Sequence, residues 1–347
     1  MHVAKKALAS AIMLATTALA GGNAQAAEEV NVYSYRQPSL IQPLLDAFTA
    51  KTGIKTNVVF SDKGLGERIA AEGENSPADV MLTVDIGRLD SAKQLGIAEP
   101  IKSDVVAKDI PPQFRDVDGD WVGLTARARV IYASRERVDQ DTITYEELAD
   151  PKWKGRICTR SGQHVYTLGL IASMIVHHGE AETEKWLVGL RDNLARKPTG
   201  NDRAQVKSIY AGECDIALGN TYYMGQMETN EKEPEQKDWA ASVRLIFPNA
   251  EDRGTHVNIS GVILNKHAPH RDNAMKLIEF LTTPDAQKIY AETNFEYPLT
   301  PGVEISERVK GWGELKPDDI SLSEIAKYRK AASEMVDRVA FDDGPAS

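Results

Sequence analysis

The polar and apolar residues between Glu29 and Thr83 alternate between strand-like and helix-like spacing. Val30–Tyr35 shows the two-residue alternation of a β-strand, and the apolar residues between 40 and 48 recur on one helical face. Two more strand-like runs follow, at 55–60 and 78–83, with a helical stretch between them. This strand–helix–strand–helix–strand order predicts a parallel sheet with right-handed crossovers.

The pattern changes near Trp121. The apolar run at 125–132 predicts a long strand that crosses from one lobe into a second, and the run at 259–264 predicts the strand that returns. Helical spacing fills much of the chain between and after them, at 167–178, 180–197, 202–212, 274–281, 284–292 and 322–339. The predicted fold class is therefore α/β, with two lobes joined by two crossing strands and a cleft between the lobes where a ligand binds.

This layout divides the chain into five parts. Residues 27–125 are expected to form the first part of an N-lobe, 126–259 a C-lobe, and 260–340 the return to the N-lobe with the C-terminal helices. Residues 341–347 are expected to form a loose tail. Residues 1–26 are predicted to be a secretory signal peptide: Lys5 and Lys6 precede an apolar run too short to span a membrane, and Ala24-Gln25-Ala26 is a cleavage pattern.

Composition narrows the class of ligand. The 347-residue chain less a 26-residue leader leaves 321 residues, enough for two lobes with sizeable cores. The formal charge is −10, and the leader carries two lysines and no acidic residue, so the mature chain carries −12. Such an acidic protein is not expected to bind nucleic acid.

Two cysteines, Cys158 and Cys214, each border a predicted strand. In an oxidising compartment a single pair of this kind most often forms one disulfide, which is the prediction here. Two cysteines without a nearby histidine pattern are too few for a structural zinc site.

The most informative stretch is Gly219–Gly225, which contains Tyr222 and Tyr223. It follows the apolar run 213–218, which predicts a buried strand, and Gly219-Asn220 is expected to break that strand and turn the chain. The tyrosines then lie beyond the carboxyl end of a strand, where open α/β sheets bind ligands. From these residues alone two interpretations stay open: a ligand site, or a tyrosine pair packed against a helix.

The chain contains six informative motifs: Val32–Pro38, Ser76–Val80, Thr125–Arg129, Ser161–Tyr166, Gly219–Tyr223 and Asn258–Gly261. They resemble the periplasmic ferric-ion-binding proteins of bacterial ABC importers, also called bacterial transferrins. The resemblance covers nearly all of the mature chain, and a broader solute-binding-protein signature lies at 281–287. It implies a two-lobed periplasmic binding protein of type II, similar to a transferrin lobe.

In that family three tyrosines hold the metal, and the matching positions are Tyr166, Tyr222 and Tyr223. Fe³⁺ is small, hard and highly charged, so it favours anionic oxygen, and tyrosinate is a known iron ligand. Three tyrosinates neutralise Fe³⁺ and leave about three of six octahedral positions open. Some members fill one of these with a histidine or a fourth tyrosine from the loop after the first strand.

Here that loop is Arg36-Gln37-Pro38, which has neither ligand type. The chain therefore resembles the subgroup that completes the site with a carbonate-like anion. Arg36, Gln37 and Arg127 are the candidate anion-binding residues, because arginine suits bidentate contact with an oxyanion. Arg203 is a candidate for a supporting position behind the ligands.

The expected function is that of a monomeric periplasmic receptor that binds Fe³⁺ with an anion and delivers it to an inner-membrane ABC permease. The first alternative is a two-lobed receptor for another solute, such as a polyamine, thiamine or an oxyanion. An amine receptor requires carboxylates and aromatic cages, whereas these loops offer tyrosines and arginines. The second alternative, a secreted enzyme, lacks the sequence motifs of the common hydrolase classes, so no enzymatic activity is expected.

Overall fold

A computed structural model describes residues 28–345 of the chain. The predicted leader and its cleavage site after Ala26 lie outside the described residues. The strands are β1 Glu29–Ser34, β2 Lys55–Phe60, β3 Val80–Thr83, β4 Ala98–Glu99, β5 Val122–Ser134, β6 Ile157–Cys158, β7 Ile216–Asn220, β8 Val243–Ile246, β9 Val257–Asn265 and β10 Tyr297–Pro298. The α-helices are α1 Pro38–Thr52, α2 Leu65–Glu72, α3 Ile86–Gln94, α4 Asp104–Asp109, α5 Val165–Asp192, α6 Asp202–Tyr210, α7 Tyr222–Glu228, α8 Glu235–Ala241, α9 Arg271–Thr282, α10 Pro284–Asn294, α11 Glu307–Lys310, α12 Leu322–Lys327 and α13 Arg329–Arg338.

The predicted parallel unit is present and consists of the first three strands of the chain, at one edge of the sheet. β1 pairs in parallel with both β2 and β3, and the main path of strands runs β2-β1-β3-β9-β5-β7-β6. The apolar residues of α1 pack on this unit because Ile41, Leu44, Leu45 and Phe48 share its buried face. This arrangement confirms the predicted α/β class and places the Arg36-Gln37 loop at the carboxyl edge of β1.

The long strand β5 changes partners along its length. Residues 122–128 pair antiparallel with β9, and residues 129–134 pair with β7 and β8. β5 is buried from end to end, as is β9. These are the two strands predicted to cross between lobes; the division of the chain at 125/126 and at 259/260 stays a prediction.

The prediction that Gly219-Asn220 breaks its strand is wrong, because both residues belong to β7. Gly219 meets a packing requirement instead: a Cβ atom at this position would lie 2.0 Å from a ring carbon of Tyr132 on β5. The Tyr132 hydroxyl also donates a hydrogen bond to the carbonyl oxygen of Asn220 at 2.6 Å. The strand therefore continues to Asn220, and the chain turns one residue later than expected.

The predicted helices at 167–178 and 180–197 are present, and they meet at Gly179, where the backbone is not helical and φ is 76°, a value that favours glycine. Together they span Val165–Asp192. The segment ends at Asp192, before the predicted limit at 197. The last predicted helix, 322–339, is interrupted at Tyr328 and forms α12 and α13.

The predicted loose tail is also wrong for residues 341–345. Residues 341–343 form a 3₁₀ turn, and the Phe341 ring is buried in the core. The Asp342 carboxylate accepts a hydrogen bond from the backbone N–H of Gly162 at 2.6 Å, and a second from the hydroxyl of Ser161 at 2.5 Å. These contacts hold the carboxyl-terminal end against the loop that leads into α5. None of the helices described between residues 28 and 345 has the length and apolar character needed to cross a membrane.

Candidate functional site

The tyrosine pair begins the helix that follows β7. β7 ends at Asn220 and α7 begins at Tyr222, so the two phenols leave the chain at the edge of the sheet. The N–H of Thr221 donates to the carbonyl oxygen of Ala128 on β5 at 3.1 Å and fixes the turn. Neighbouring residues of a helix point about 100° apart, yet the rings of Tyr222 and Tyr223 stay close, with centroids 4.3 Å apart.

Tyr166 reaches the same place from the start of α5. The Nδ1 atom of His164 caps this helix by accepting a hydrogen bond from the backbone N–H of Tyr166 at 3.2 Å. The Tyr166 hydroxyl oxygen lies 3.2 Å from that of Tyr222. The structure therefore brings Tyr166, Tyr222 and Tyr223 together, and we call these three residues the tyrosine wall.

The tyrosine wall lines one cavity together with all four predicted polar residues. The cavity encloses about 90 Å³. Besides the tyrosine wall, its lining residues are Tyr35, Arg36, Gln37, Leu40, Val84, Arg127, Arg203, Gln226 and Glu296. Phenols, guanidinium groups and one carboxylate thus surround a small polar space.

Arg36 is held by a carboxylate that the sequence analysis did not single out. Its Nη2 atom lies 2.9 Å and 3.1 Å from the two carboxylate oxygens of Glu296, and both side chains are at most 5% exposed. The hydroxyl of Thr125 donates a further hydrogen bond to Glu296 at 2.6 Å. Burial acts to lower the pKa of Arg36, but Glu296, together with Tyr290 and Tyr222, more than offsets this, so the pKa is raised and Arg36 stays charged.

Arg127 is buried without a carboxylate partner among residues 28–345. Its Nη1 atom donates to the hydroxyl oxygen of Ser260 on β9 at 3.0 Å, and the same oxygen accepts a hydrogen bond from Arg36. The Nε atom of Arg127 is buried and has no hydrogen-bond partner among the described residues. The Arg127 guanidinium therefore has an unused donor beside the cavity.

Arg203 lies in the first turn of α6, lines the cavity and faces the ring of Tyr223. Its guanidinium carbon is 4.9 Å from the centre of the Tyr223 ring, and its Nη2 donates a hydrogen bond to the side-chain oxygen of Gln226. Arg203 thus lines the cavity itself, and its predicted supporting role behind the ligands stays a prediction. Gln37, at the end of the first loop, is exposed at the cavity mouth.

A second buried ion-pair network supports the tyrosine wall from behind. Asp202 is fully buried and accepts hydrogen bonds from Arg129 at 2.7 Å and from Arg160 at 2.9 Å. It also accepts one from the backbone N–H of Asn220 at 2.9 Å. Because Asn220 ends β7 and Arg160 lies 5.3 Å from the Tyr166 ring centre, this network fixes the segments that carry the tyrosines.

Burial controls the protonation of the phenols. It raises the pKa of Tyr222 well above its usual value, and the neighbouring Tyr166 and Tyr223 raise it further. Burial likewise raises the pKa of Tyr223 to about 12. Both phenols are therefore neutral near pH 7 without a cation, and a metal that binds them as phenolates has to displace their protons.

A disulfide joins the two segments that lead to the tyrosine wall. Cys158 and Cys214 are bonded, with Cα atoms 5.9 Å apart. Cys158 ends β6, which leads toward Tyr166, and Cys214 lies just before β7, which leads to Tyr222. The covalent bond therefore spans 56 residues and braces the base of the site.

Sequence reasoning missed three polar contributors to this site. Glu296 follows α10 in a stretch without a recognisable motif, so no pattern pointed to it. Asp202 stands next to Arg203 and was not considered as a partner for distant arginines. Ser260 did fall within the Asn258–Gly261 motif but was given no role, since its two arginine partners come from other parts of the chain.

Comparison with known proteins agrees with this architecture. Residues 33–288 match the family described as bacterial extracellular solute-binding protein. A curated relative, iron uptake protein A1 of Synechocystis sp., is 44% identical over 316 residues, which cover 90% of this chain and 88% of that protein. These matches confirm the predicted resemblance. Because such relatives are uptake and binding proteins, they also confirm the prediction that the chain is not an enzyme.

Solved structures confirm the fold class. The apo ferric ion-binding protein A of Pasteurella haemolytica has a TM-score of 0.87 and 52% identity, and the match covers 91% of this chain and 99% of that one. A Trichodesmium protein solved in complex with iron and citrate ligands has a TM-score of 0.85 and 44% identity, over 90% of this chain and 99% of that one.

Proposed function

This chain belongs to the bacterial extracellular solute-binding protein family, and we propose that it is a periplasmic receptor that binds ferric iron and delivers it to an ABC permease of the inner membrane. The observation that carries the proposal is the convergence of three phenols, from Tyr166, Tyr222 and Tyr223, on one cavity. The similarity to an iron uptake protein and to ferric ion-binding proteins supports it.

The ligand chemistry of the tyrosine wall suits Fe³⁺ better than a softer ion. Among the described residues, the lining of the cavity contains no cysteine or histidine, so no thiolate or imidazole is placed to bind a metal ion there. Hard phenolate oxygens match a small ion of high charge. Three phenolates cancel the charge of Fe³⁺, and Tyr166, Tyr222 and Tyr223 act as its ligands in this proposal.

An anion completes the coordination in this proposal. Arg127 is its main binding residue, because its buried guanidinium lines the cavity and has no carboxylate partner among the described residues. Arg36 and Gln37 add donors from the first loop, and Arg203 supports Tyr223 from the side. A carbonate-like oxyanion is small enough for the remaining space.

The route of the protein follows from its leader and its family. We infer that the predicted signal peptide is removed after Ala26 and that the mature chain works in the periplasm as a monomer. There the two predicted lobes, 27–125 with 260–340 and 126–259, close on the metal and present it to the permease.

A receptor for a polyamine or for thiamine is the alternative. Cationic ligands of this kind need free carboxylates and an aromatic cage. Glu296 is the carboxylate that lines the cavity, and it is already engaged with Arg36 and Thr125. The surplus of positive charge around the cavity disfavours any amine.

The visible absorption of the purified mature protein tests the proposal. Ferric citrate should produce a phenolate-to-iron charge-transfer band that saturates at one iron per chain. Spermidine and thiamine, tested by titration calorimetry on the same sample, should produce no binding heat. A colourless protein that binds spermidine or thiamine would overturn the proposal.

A further inference from the structure

Glu296 is the one carboxylate among the described residues that line the cavity, and its contacts make it part of the charge balance there. Both of its oxygens face Arg36, and Thr125 holds one of them. Its side chain is 2% exposed, so solvent screens it little. Arg36 in turn shares the hydroxyl of Ser260 with Arg127. The Glu296 carboxylate thus begins a buried series of hydrogen bonds that passes through Arg36 and the Ser260 hydroxyl to Arg127.

The formal charge of the cavity wall follows from its lining. Three guanidinium groups and one carboxylate give the wall a charge of +2 while the phenols are protonated. In the iron-loaded site three phenolates cancel Fe³⁺, so the surplus remains +2. A single dianion neutralises that surplus of +2, whereas a trianion leaves the site with a net negative charge.

We propose that Glu296 sets the charge of the companion anion: by holding Arg36, it limits the site to an oxyanion of two negative charges, such as carbonate, and disfavours a trianion such as citrate. This inference rests on the proposed ferric function. Without the carboxylate, Arg36 and Arg127 would offer two uncompensated guanidinium groups that share one hydroxyl. Such a pair attracts a trianion much more strongly than one free arginine does.

Anion exchange on the iron-loaded protein tests this directly. The wild type and Glu296→Gln are loaded with iron in bicarbonate, and citrate is then added while the charge-transfer band is followed. We expect the citrate concentration at half-exchange to fall roughly tenfold or more in Glu296→Gln, because one unit of repulsion is removed at close range. The matched control is Glu99→Gln, which removes the same charge from a surface pair with Arg271 and should leave the midpoint unchanged.

Two further variants separate charge from local contacts. Arg36→Gln lowers the wall charge by one and should raise the citrate midpoint above that of the wild type. The double variant Arg36→Gln/Glu296→Gln restores the wild-type charge and should bring the midpoint back toward the wild-type value. The expected order of midpoints is Glu296→Gln lowest, wild type and double variant together, and Arg36→Gln highest.

Each outcome decides a separate point. If the wild type gives no charge-transfer band with ferric iron, the proposed function fails and this inference falls with it. If the wild type is coloured but the midpoints do not follow the wall charge, the inference alone is overturned. If Glu296→Gln does not fold, the opposite shift in Arg36→Gln and the return in the double variant still decide it.

Discussion

Two buried arginines on the same face of β5, Arg127 and Arg129, have opposite surroundings. They lie two residues apart, so both point to one side of the strand, and both are at most 2% exposed. Arg129 donates to the Asp202 carboxylate at 2.7 Å and to the side-chain oxygen of Asn220 at 3.1 Å. Among residues 28–345, the Arg127 side chain donates only to the hydroxyl of Ser260.

This difference separates a structural charge from a binding charge. A buried guanidinium that has a buried carboxylate is compensated within the protein. One that faces a cavity without a carboxylate remains costly until an anion arrives from outside. By this criterion Arg129 fixes the segments behind the tyrosine wall, whereas Arg127 is the residue to which our proposal assigns the anion.

The largest expected effect is a loss of stability on replacing Arg129, the arginine whose charge Asp202 compensates. Arg129→Met leaves the buried Asp202 with one guanidinium partner instead of two, and removal of one member of such a pair costs about 3–5 kcal/mol of unfolding free energy. Urea denaturation of the iron-free protein measures this. Arg271→Met, which breaks an exposed pair, is the control and should cost no more than about 1 kcal/mol. Equal losses in the two variants would remove the structural role of Arg129.

Replacing Arg127, which faces the cavity, should do the reverse: it should weaken ferric binding and cost no stability. Arg127→Gln should weaken ferric binding about 10–100-fold when bicarbonate is the only anion, the range for residues that support metal ligands without touching the metal. The iron-free variant should be as stable as the wild type or more stable, because an uncompensated buried charge is gone. Unchanged affinity in bicarbonate would move the anion away from Arg127.

On acidification, iron should be lost at a higher pH than the stabilising contribution of the Asp202 ion pair behind the site. Because burial raises the pKa values of Tyr222 and Tyr223, protons compete with iron for both phenolates, and affinity falls as the pH falls. Burial acts to raise the pKa of Asp202, but Arg129 and Arg160 lower it overall. Its contribution to stability is therefore complete above about pH 4 and is lost only as the pH falls further.

The measurement is a pH titration of the loaded protein. The charge-transfer band should disappear at a pH at which far-ultraviolet circular dichroism still reports folded protein. Simultaneous loss of both signals would contradict a site that titrates separately from the fold.

Local patterns were enough to predict the parallel unit of β1, β2 and β3 and to place the tyrosines after a strand. The alternation in Val30–Tyr35 and the helical face that follows it fix the parallel unit, because these patterns are set by residues close in sequence. The tyrosine segment was correctly placed beyond the end of a strand. The turn was wrongly placed at Gly219-Asn220, because both residues belong to the strand. Gly219 is required by the ring of Tyr132, more than 80 residues away, which no local pattern reveals.

Long-range pairings account for the other misses. Glu296 and Arg36 are 260 positions apart and become partners only when β10 and its flanking loop return to β5. Phe341 was assigned to a loose tail because termini are usually mobile, whereas here the ring enters the core. In each case the residue type was ordinary, and only the folded chain supplied the neighbour that gives it a role.

Replacing each phenol of the tyrosine wall tests the central claim most directly. Tyr166→Phe, Tyr222→Phe and Tyr223→Phe each remove one oxygen and keep the ring. Each variant should shift or bleach the charge-transfer band and lose ferric affinity by more than the roughly 100-fold expected for supporting residues, while melting close to the wild type. Variants that bind iron fully but lose about 0.5–1.5 kcal/mol of stability, the usual value of a lost hydrogen bond, would show instead that these tyrosines only pack the fold.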